Sequence, residues 1–134
     1  MNDPFRPILC LDFDGVIHDY KGGWQGGVIY GDITPGFFEW AEQASKLFKL
    51  VVYSSRSRDP AMLNDMMLWL GERRRAWRRA GGQSGPDPLE FEFAHEKPPA
   101  FLTIDDRAVQ FRGDWTALPP SMLRTFVPWN TRTA

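Results

Sequence analysis

Two aspartates two residues apart, Asp12 and Asp14, follow the apolar run PILCL (residues 7–11). A second acidic pair, Asp105-Asp106, follows another apolar run, FLTI (101–104). Carboxylates held side by side repel one another unless a cation neutralises them or one keeps its proton. Three or four of them at one place, with neither His nor Cys among them, describe a hard oxygen-ligand site suited to Mg²⁺. Ser54 follows a third apolar run, KLVVY (49–53), and offers a hydroxyl. Lys97, in the loop that leads to FLTI, offers a point charge. Hydroxyl, ammonium and Mg²⁺ together are what a phosphoryl group needs, because its transfer is mostly positioning and charge neutralisation.

These residues do chemistry only if the fold brings them together, and the elements around them predict that it does. Residues 7–11, 49–53 and 101–104 read as buried strands, and LEFEF (89–93) alternates as a half-exposed strand does. Thr34-Pro35 reads as a helix start, with Thr as N-cap and Pro in the first turn. Phe37, Trp40, Ala41, Ala44 and Phe48 then recur at helical spacing, to about residue 47. Asp59-Pro60 starts a second helix that runs to about Arg79, and GGQSGPDP (81–88) is a turn-forming loop. The glycine-rich stretch 20–33 reads as a loop or small flap. Beyond Phe111 the pattern is poor, with a helical turn near 119–123 and a last strand near 125–127. Apolar strands separated by helices predict an α/β fold, a three-layer Rossmann-like sandwich with a mainly parallel sheet. Ligands bind such sheets beyond the carboxyl ends of the strands. Asp12, Ser54 and Asp105 all sit at such ends and should meet at one edge.

Composition bounds the rest. The chain has 134 residues and reads as one domain over 1–134. It is 43% hydrophobic and 25% charged, the balance of a globule that can bury a core. The net charge of -1 excludes a strongly basic nucleic-acid coat and an acidic tail. The single cysteine, Cys10, can form no internal disulfide and reads as inert core, which points to a reducing compartment. No apolar run approaches a membrane span and the first residues lack a signal-peptide core, so the expected location is cytoplasmic. ERRRAWRR (72–79) carries five Arg against one Glu, or +4. It reads as a solvated helix end, with a nucleic-acid or acidic partner, or an oligomer contact, as the other options.

The four candidate positions resemble, in order, the four motifs of the haloacid dehalogenase (HAD) superfamily. They are Asp12-Phe-Asp-Gly-Val, Ser54, Lys97 in EKPPA, and Asp105-Asp106, spanning residues 7–111, most of the chain. A lone DxDG is unspecific, but four motifs each ending the expected element are specific. The wording DFDGVIHDY, YSSR, KPPA and IDDRAVQFRG is similar to small HAD-like proteins of phages and bacteria. The resemblance implies Asp12 as nucleophile, forming an aspartyl-phosphate. It implies Mg²⁺ on the Asp12 carboxylate, the Asp14 backbone carbonyl and Asp105, with Asp106 holding a water or ligating directly. Asp14 would be the general acid and then the base, and the neighbouring carboxylates are expected to favour its protonation. Ser54 and Lys97 would hold the phosphoryl group. An acid two residues after the nucleophile marks mostly phosphatases of this family, and a Thr there mostly ion-pumping ATPases.

Family members usually carry a cap over the site. The stretches 15–34 and 80–96 are too short for one, so a capless domain with a flap at 20–33 is expected. An open site admits bulky phosphorylated substrates, including the end of a nucleic acid.

Several residues keep two readings. Ser55 is an alternative bearer of the Ser54 role, and Arg56 either touches substrate or makes a structural salt bridge. Arg107 reads as a local ion pair, His18 as a plain loop histidine, and Tyr20, Trp24 and Tyr30 as packing or as base-stacking platforms. The rival functions are a receiver-type phospho-acceptor, a non-catalytic HAD-like phosphate-binding module and a nucleic-acid end-processing enzyme. The third strand ends in Phe93-Ala94, which fits the receiver badly.

Overall fold

The computed structural model of the chain describes residues 5–82 and 89–131. Most of the loop read over 81–88 lies outside the described residues. Four short strands, β1 (Ile8–Leu11), β2 (Lys49–Val52), β3 (Glu92–Phe93) and β4 (Leu102–Ile104), form one all-parallel sheet in the order β3-β2-β1-β4. Two helices, α1 (Phe37–Ala44) and α2 (Pro60–Arg79), make the crossovers β1 to β2 and β2 to β3. This is the expected α/β, Rossmann-like parallel fold. Among the described residues no helix is long and apolar enough to cross a membrane.

The register explains the core. Leu9 pairs with Leu50 and Leu11 with Val52, so these four side chains share one face of the sheet. They pack with Phe37, Phe38, Ala41 and Ala44 of α1 and with Met66 and Leu70 of α2. Both long helices therefore lie on that face. Each of the larger side chains, fully buried, contributes about 1.5–3 kcal/mol. Phe38 stacks on Trp77 at 5.3 Å, and the Trp77 indole donates to Glu39 at 3.0 Å, which ties the two helices together. The chain from β3 to β4 must pass β2 and β1, and right-handedness sends it across the opposite face. Cys10 and Val51 point there and are buried.

Several local expectations are corrected. The second helix starts as read, with the Asp59 carboxylate accepting from Ala61 and Met62 N–H at 2.9 and 3.2 Å. The first does not. Thr34 spends its hydroxyl on the Val16 carbonyl at 2.7 Å, and α1 begins at Phe37 behind Gly36, at φ 82°. It ends at Ala44, and a turn through Phe48 leads into β2. Of LEFEF only Glu92–Phe93 pairs, while Leu89 anchors the segment by burial instead. The helical turn near 119–123 is present as α3 (Pro120–Leu123). Residues 125–127 form no strand, because Thr125 and Phe126 N–H bond back into the α3 turn.

Candidate active site

The carboxyl ends of β1 and β4 are adjacent, locked by the Asp12 N–H bond to the Ile104 carbonyl at 3.0 Å. Asp12, Asp105 and Asp106 each present a carboxylate oxygen there, all within 4.8 Å of one another. Asp105 is exposed and accepts from Arg107 N–H at 2.8 Å. The Asp106 side chain is only 3% exposed, and among the described residues neither of its oxygens meets a donor, save the proton that a neutral Asp12 would share with it. Arg107 stands 3.9 Å away, the local ion pair expected of it but too long for a hydrogen bond. Gly15 makes the arrangement possible. Its φ is 84°, and a Cβ there would run into the Asp106 carboxylate.

Burial, with the charges of Asp105 and Asp106, pushes the Asp12 carboxyl up to about 7. Burial and the Asp105 charge raise Asp106 as well. Mutually repelling carboxylates around the buried, unpartnered Asp106 oxygens are what a divalent cation would satisfy. Asp12, Asp105 and Asp106 therefore fit the Mg²⁺ expected from the sequence.

The Asp14 side chain belongs to a different group. Its carboxylate takes a fork from Arg56, Nε to Oδ2 at 2.7 Å and Nη2 to Oδ1 at 3.2 Å. His18 Nδ1 lies 2.9 Å from the same Oδ1. The Gly31 N–H, which can only donate, points at His18 Nε2 at 3.0 Å. His18 Nε2 must therefore accept, which leaves the proton on Nδ1, donated to Asp14. Burial pushes the Asp14 carboxyl up, but the bonds from His18 and Arg56 and the Arg56 charge outweigh it and hold it low. This corrects the expectation that neighbouring carboxylates keep Asp14 protonated. The loop's own hydrogen bonds use the Phe13 and His18 carbonyls, not that of Asp14.

Of the two readings of Arg56, the geometry realises the salt bridge. The guanidinium is buried, donates to the Gly27 carbonyl at 2.6 Å and lies over the Trp24 ring at 5.1 Å. It thus links Asp14 to the flap. His18 is wholly buried rather than a plain loop histidine, with Tyr20 and Tyr30 edge-on to its ring at 5.8 and 5.1 Å. Those two tyrosines pack, as the plainer reading has it.

Ser54 is buried too. Its hydroxyl accepts from Arg56 N–H at 3.0 Å and donates to Met66 Sδ at 3.5 Å, capping the 3₁₀ turn Ser55–Arg58. Ser55 is exposed at the start of that turn. Lys97 is exposed in the crossing loop, near enough for its charge to be felt at the Cys10 thiol. The structure thus gathers Asp12, Asp105 and Asp106 and turns the Asp14 and Ser54 side chains to other partners.

The basic run is only partly a solvated helix end. Arg73 pairs with Asp32 of the flap at 3.1 Å and lies over Trp69, and Arg74 donates to the Leu89 carbonyl at 2.6 Å. Sequence reasoning missed the 3₁₀ turn Trp129–Thr131. The Trp129 indole donates to the Gly15 carbonyl at 2.7 Å, and the Asn130 amide donates to the carbonyls of Asp19 and Tyr20, both at 3.1 Å. A Trp-Asn pair in a patternless stretch carries no periodic signal. A groove of about 340 Å³ between α2 and the β3 edge shares no residue with the carboxylates.

Compared with protein-family models, with curated proteins and with solved structures, the chain matches none.

Proposed function

We propose that this chain is a Mg²⁺-dependent phosphomonoester hydrolase of HAD type, acting through an aspartyl-phosphate. The observation that carries the reading is the pair of buried, unpartnered Asp106 oxygens beside Asp12 and Asp105, at the carboxyl edge of a parallel sheet. The order of the four sequence motifs supports it. Asp12, Asp105 and Asp106 would hold the ion, with the Asp14 carbonyl beside them. When bound, Mg²⁺ would neutralise the phosphoryl oxygens and keep Asp12 ionised.

Asp12 then attacks phosphorus, and the leaving oxygen needs a proton. Asp14 is the acid that supplies it and, once ionised, the base for the water that frees Asp12. Held ionised by Arg56 and His18, it must first leave that fork and take up a proton from solvent, so flap movement and proton donation are linked in this reading. Ser54, once its hydroxyl rotates from Met66, and Lys97 hold the phosphoryl oxygens. Asp105 is exposed and the flap is tied back by Arg56 and Arg73, which suits an accessible, bulky phosphorylated substrate.

The test is turnover of an aryl phosphate with and without Mg²⁺, in the wild type and in Asp12→Asn. Loss of the nucleophile should remove several kcal/mol of barrier lowering, each ~1.4 kcal/mol being about tenfold. Undiminished Asp12→Asn turnover, or wild-type turnover indifferent to Mg²⁺, refutes the proposal.

A further inference from the structure

β4 is an edge strand, uncovered among the described residues. Leu102 and Ile104 continue the apolar helix-side face beyond Leu9 and Leu11, yet they are 54% and 37% exposed. Of the eighteen exposed large apolar side chains among the described residues, eleven lie past residue 100, among them Phe101, Phe111 and Trp115, the last 75% exposed. Among the described residues, the hydrogen bonds of residues 107–126 are all local turns and caps, and none of these residues packs against the hydrophobic core. The aromatic rings among them, Phe101, Phe111, Trp115, Phe126 and Trp129, at about half of ~150–250 Å² each, alone expose on the order of 500 Å² of apolar surface. Monomers rarely expose contiguous apolar patches larger than a few hundred Å². A standard interface takes about 800 Å² from each partner.

We infer that β4 and the stretch after it form the interface of a two-fold dimer of this chain, the two β4 strands pairing antiparallel about Thr103. The backbone fits. The Ile104 carbonyl accepts from Asp12 N–H, so the polar groups of Ile104 face β1 and those of Thr103 face outward. Two Thr103 residues can therefore exchange both hydrogen bonds across the axis, a favourable cross-strand pair. Leu102 then stands opposite the other Ile104, and Phe101 opposite Asp105, so no like charges meet. Antiparallel pairing also sends the two acidic sites to opposite ends of the joint, where parallel pairing would stack them. The charge of residues 101–129 points the same way. Asp105, Asp106 and Asp114 balance Arg107, Arg112 and Arg124, which suits a copy of itself rather than a polyanion. An isologous contact of this kind closes on itself and leaves no open edge.

The inference does not rest on the proposed chemistry, and its test is a mass. Sedimentation of the full chain at about 100 μM should give twice 15.4 kDa. Thr103→Pro removes an outward N–H and spares the ladder to β1. Leu102→Lys puts a charge in the seam. Both variants should sediment at 15.4 kDa with unchanged helical circular dichroism. Amide exchange at Thr103 in the wild type needs no variant, and it should slow as concentration rises through the dimer transition. A wild type that stays at 15.4 kDa, or a dimer that survives Leu102→Lys and shows no concentration-dependent protection at Thr103, overturns the inference.

Discussion

Arg56 Nε lies 2.7 Å from Asp14 Oδ2, and the two side chains, 42 residues apart in sequence, are 0% and 15% exposed. This pair joins the loop after β1, the turn after β2 and, through Gly27, the flap. Removing one partner of a buried ion pair strands the other charge and costs about 3–5 kcal/mol. Arg56→Gln should therefore lower unfolding stability by roughly that amount. Arg56→Lys keeps the charge but cannot form the fork, and should fall between the two. Urea unfolding checks both. An Arg56→Gln loss below about 1 kcal/mol would show the pair to be solvated.

The carboxylate cluster predicts how stability depends on pH. The Asp12 carboxyl is raised to about 7 from its ordinary value of 3.8. Between those values the folded chain holds a proton that the unfolded chain has lost, so stability falls as pH rises through the window. The raised Asp106 acts in the same direction. Asp14, held low, loses its contribution only as pH falls below the ordinary carboxylate range, outside that window. Without divalent cations the thermal midpoint should drop from about pH 5 to about pH 8, and Asp12→Asn should flatten that slope. Millimolar Mg²⁺ competes with the proton and should raise the midpoint at pH 8 far more than at pH 5. An equal effect of Mg²⁺ at both would place its binding elsewhere.

Wherever one local pattern decided the outcome, the sequence was legible. Apolar runs that stop at Asp12 and Asp105 became adjacent parallel strands, and the rule that ligands gather at carboxyl ends brought those carboxylates together. Asp59-Pro60 capped its helix because both signals act within one turn. Thr34-Pro35 carried the same signals and failed, since the Thr34 hydroxyl found Val16, a partner no window around Thr34 contains. The orientation of Asp14 was hidden for the same reason, because it depends on Arg56 as well as on His18 within its own loop. The Trp129 contact with Gly15 spans 114 residues. The parallel sheet needs only strand patterns, whereas such contacts need the packed fold.

That Trp129 bond gives a further expectation. Gly15 follows Asp14 in the loop that also packs on Asp106, and the indole N–H fixes its carbonyl. Trp129→Phe keeps the ring and removes the donor. It should cost about 0.5–1.5 kcal/mol of stability, the net worth of one hydrogen bond. It should also weaken Mg²⁺ affinity, read by titration calorimetry, because the loop that carries Asp12 loses an anchor. Unchanged affinity would confine Trp129 to packing.

Asp14→Asn separates the acid role from the structural one. The change keeps the backbone carbonyl and the shape of the side chain, so Mg²⁺ affinity should hold within a few-fold. It loses the charge that Arg56 pairs with, so stability should fall alongside Arg56→Gln. Neither effect depends on the substrate. Proton donation does. An alkyl phosphate has a poor leaving group that needs the proton, and a nitrophenyl phosphate does not. If Asp14 is the acid, Asp14→Asn should cost about 10²–10⁴ in turnover of the alkyl ester and much less for the aryl ester. If Asp14 serves only to anchor Arg56 and the flap, both esters should lose equally, and Arg56→Gln should reproduce that uniform loss. Running both variants on both esters therefore assigns Asp14 to proton transfer or to the flap anchor, whichever ester pattern appears.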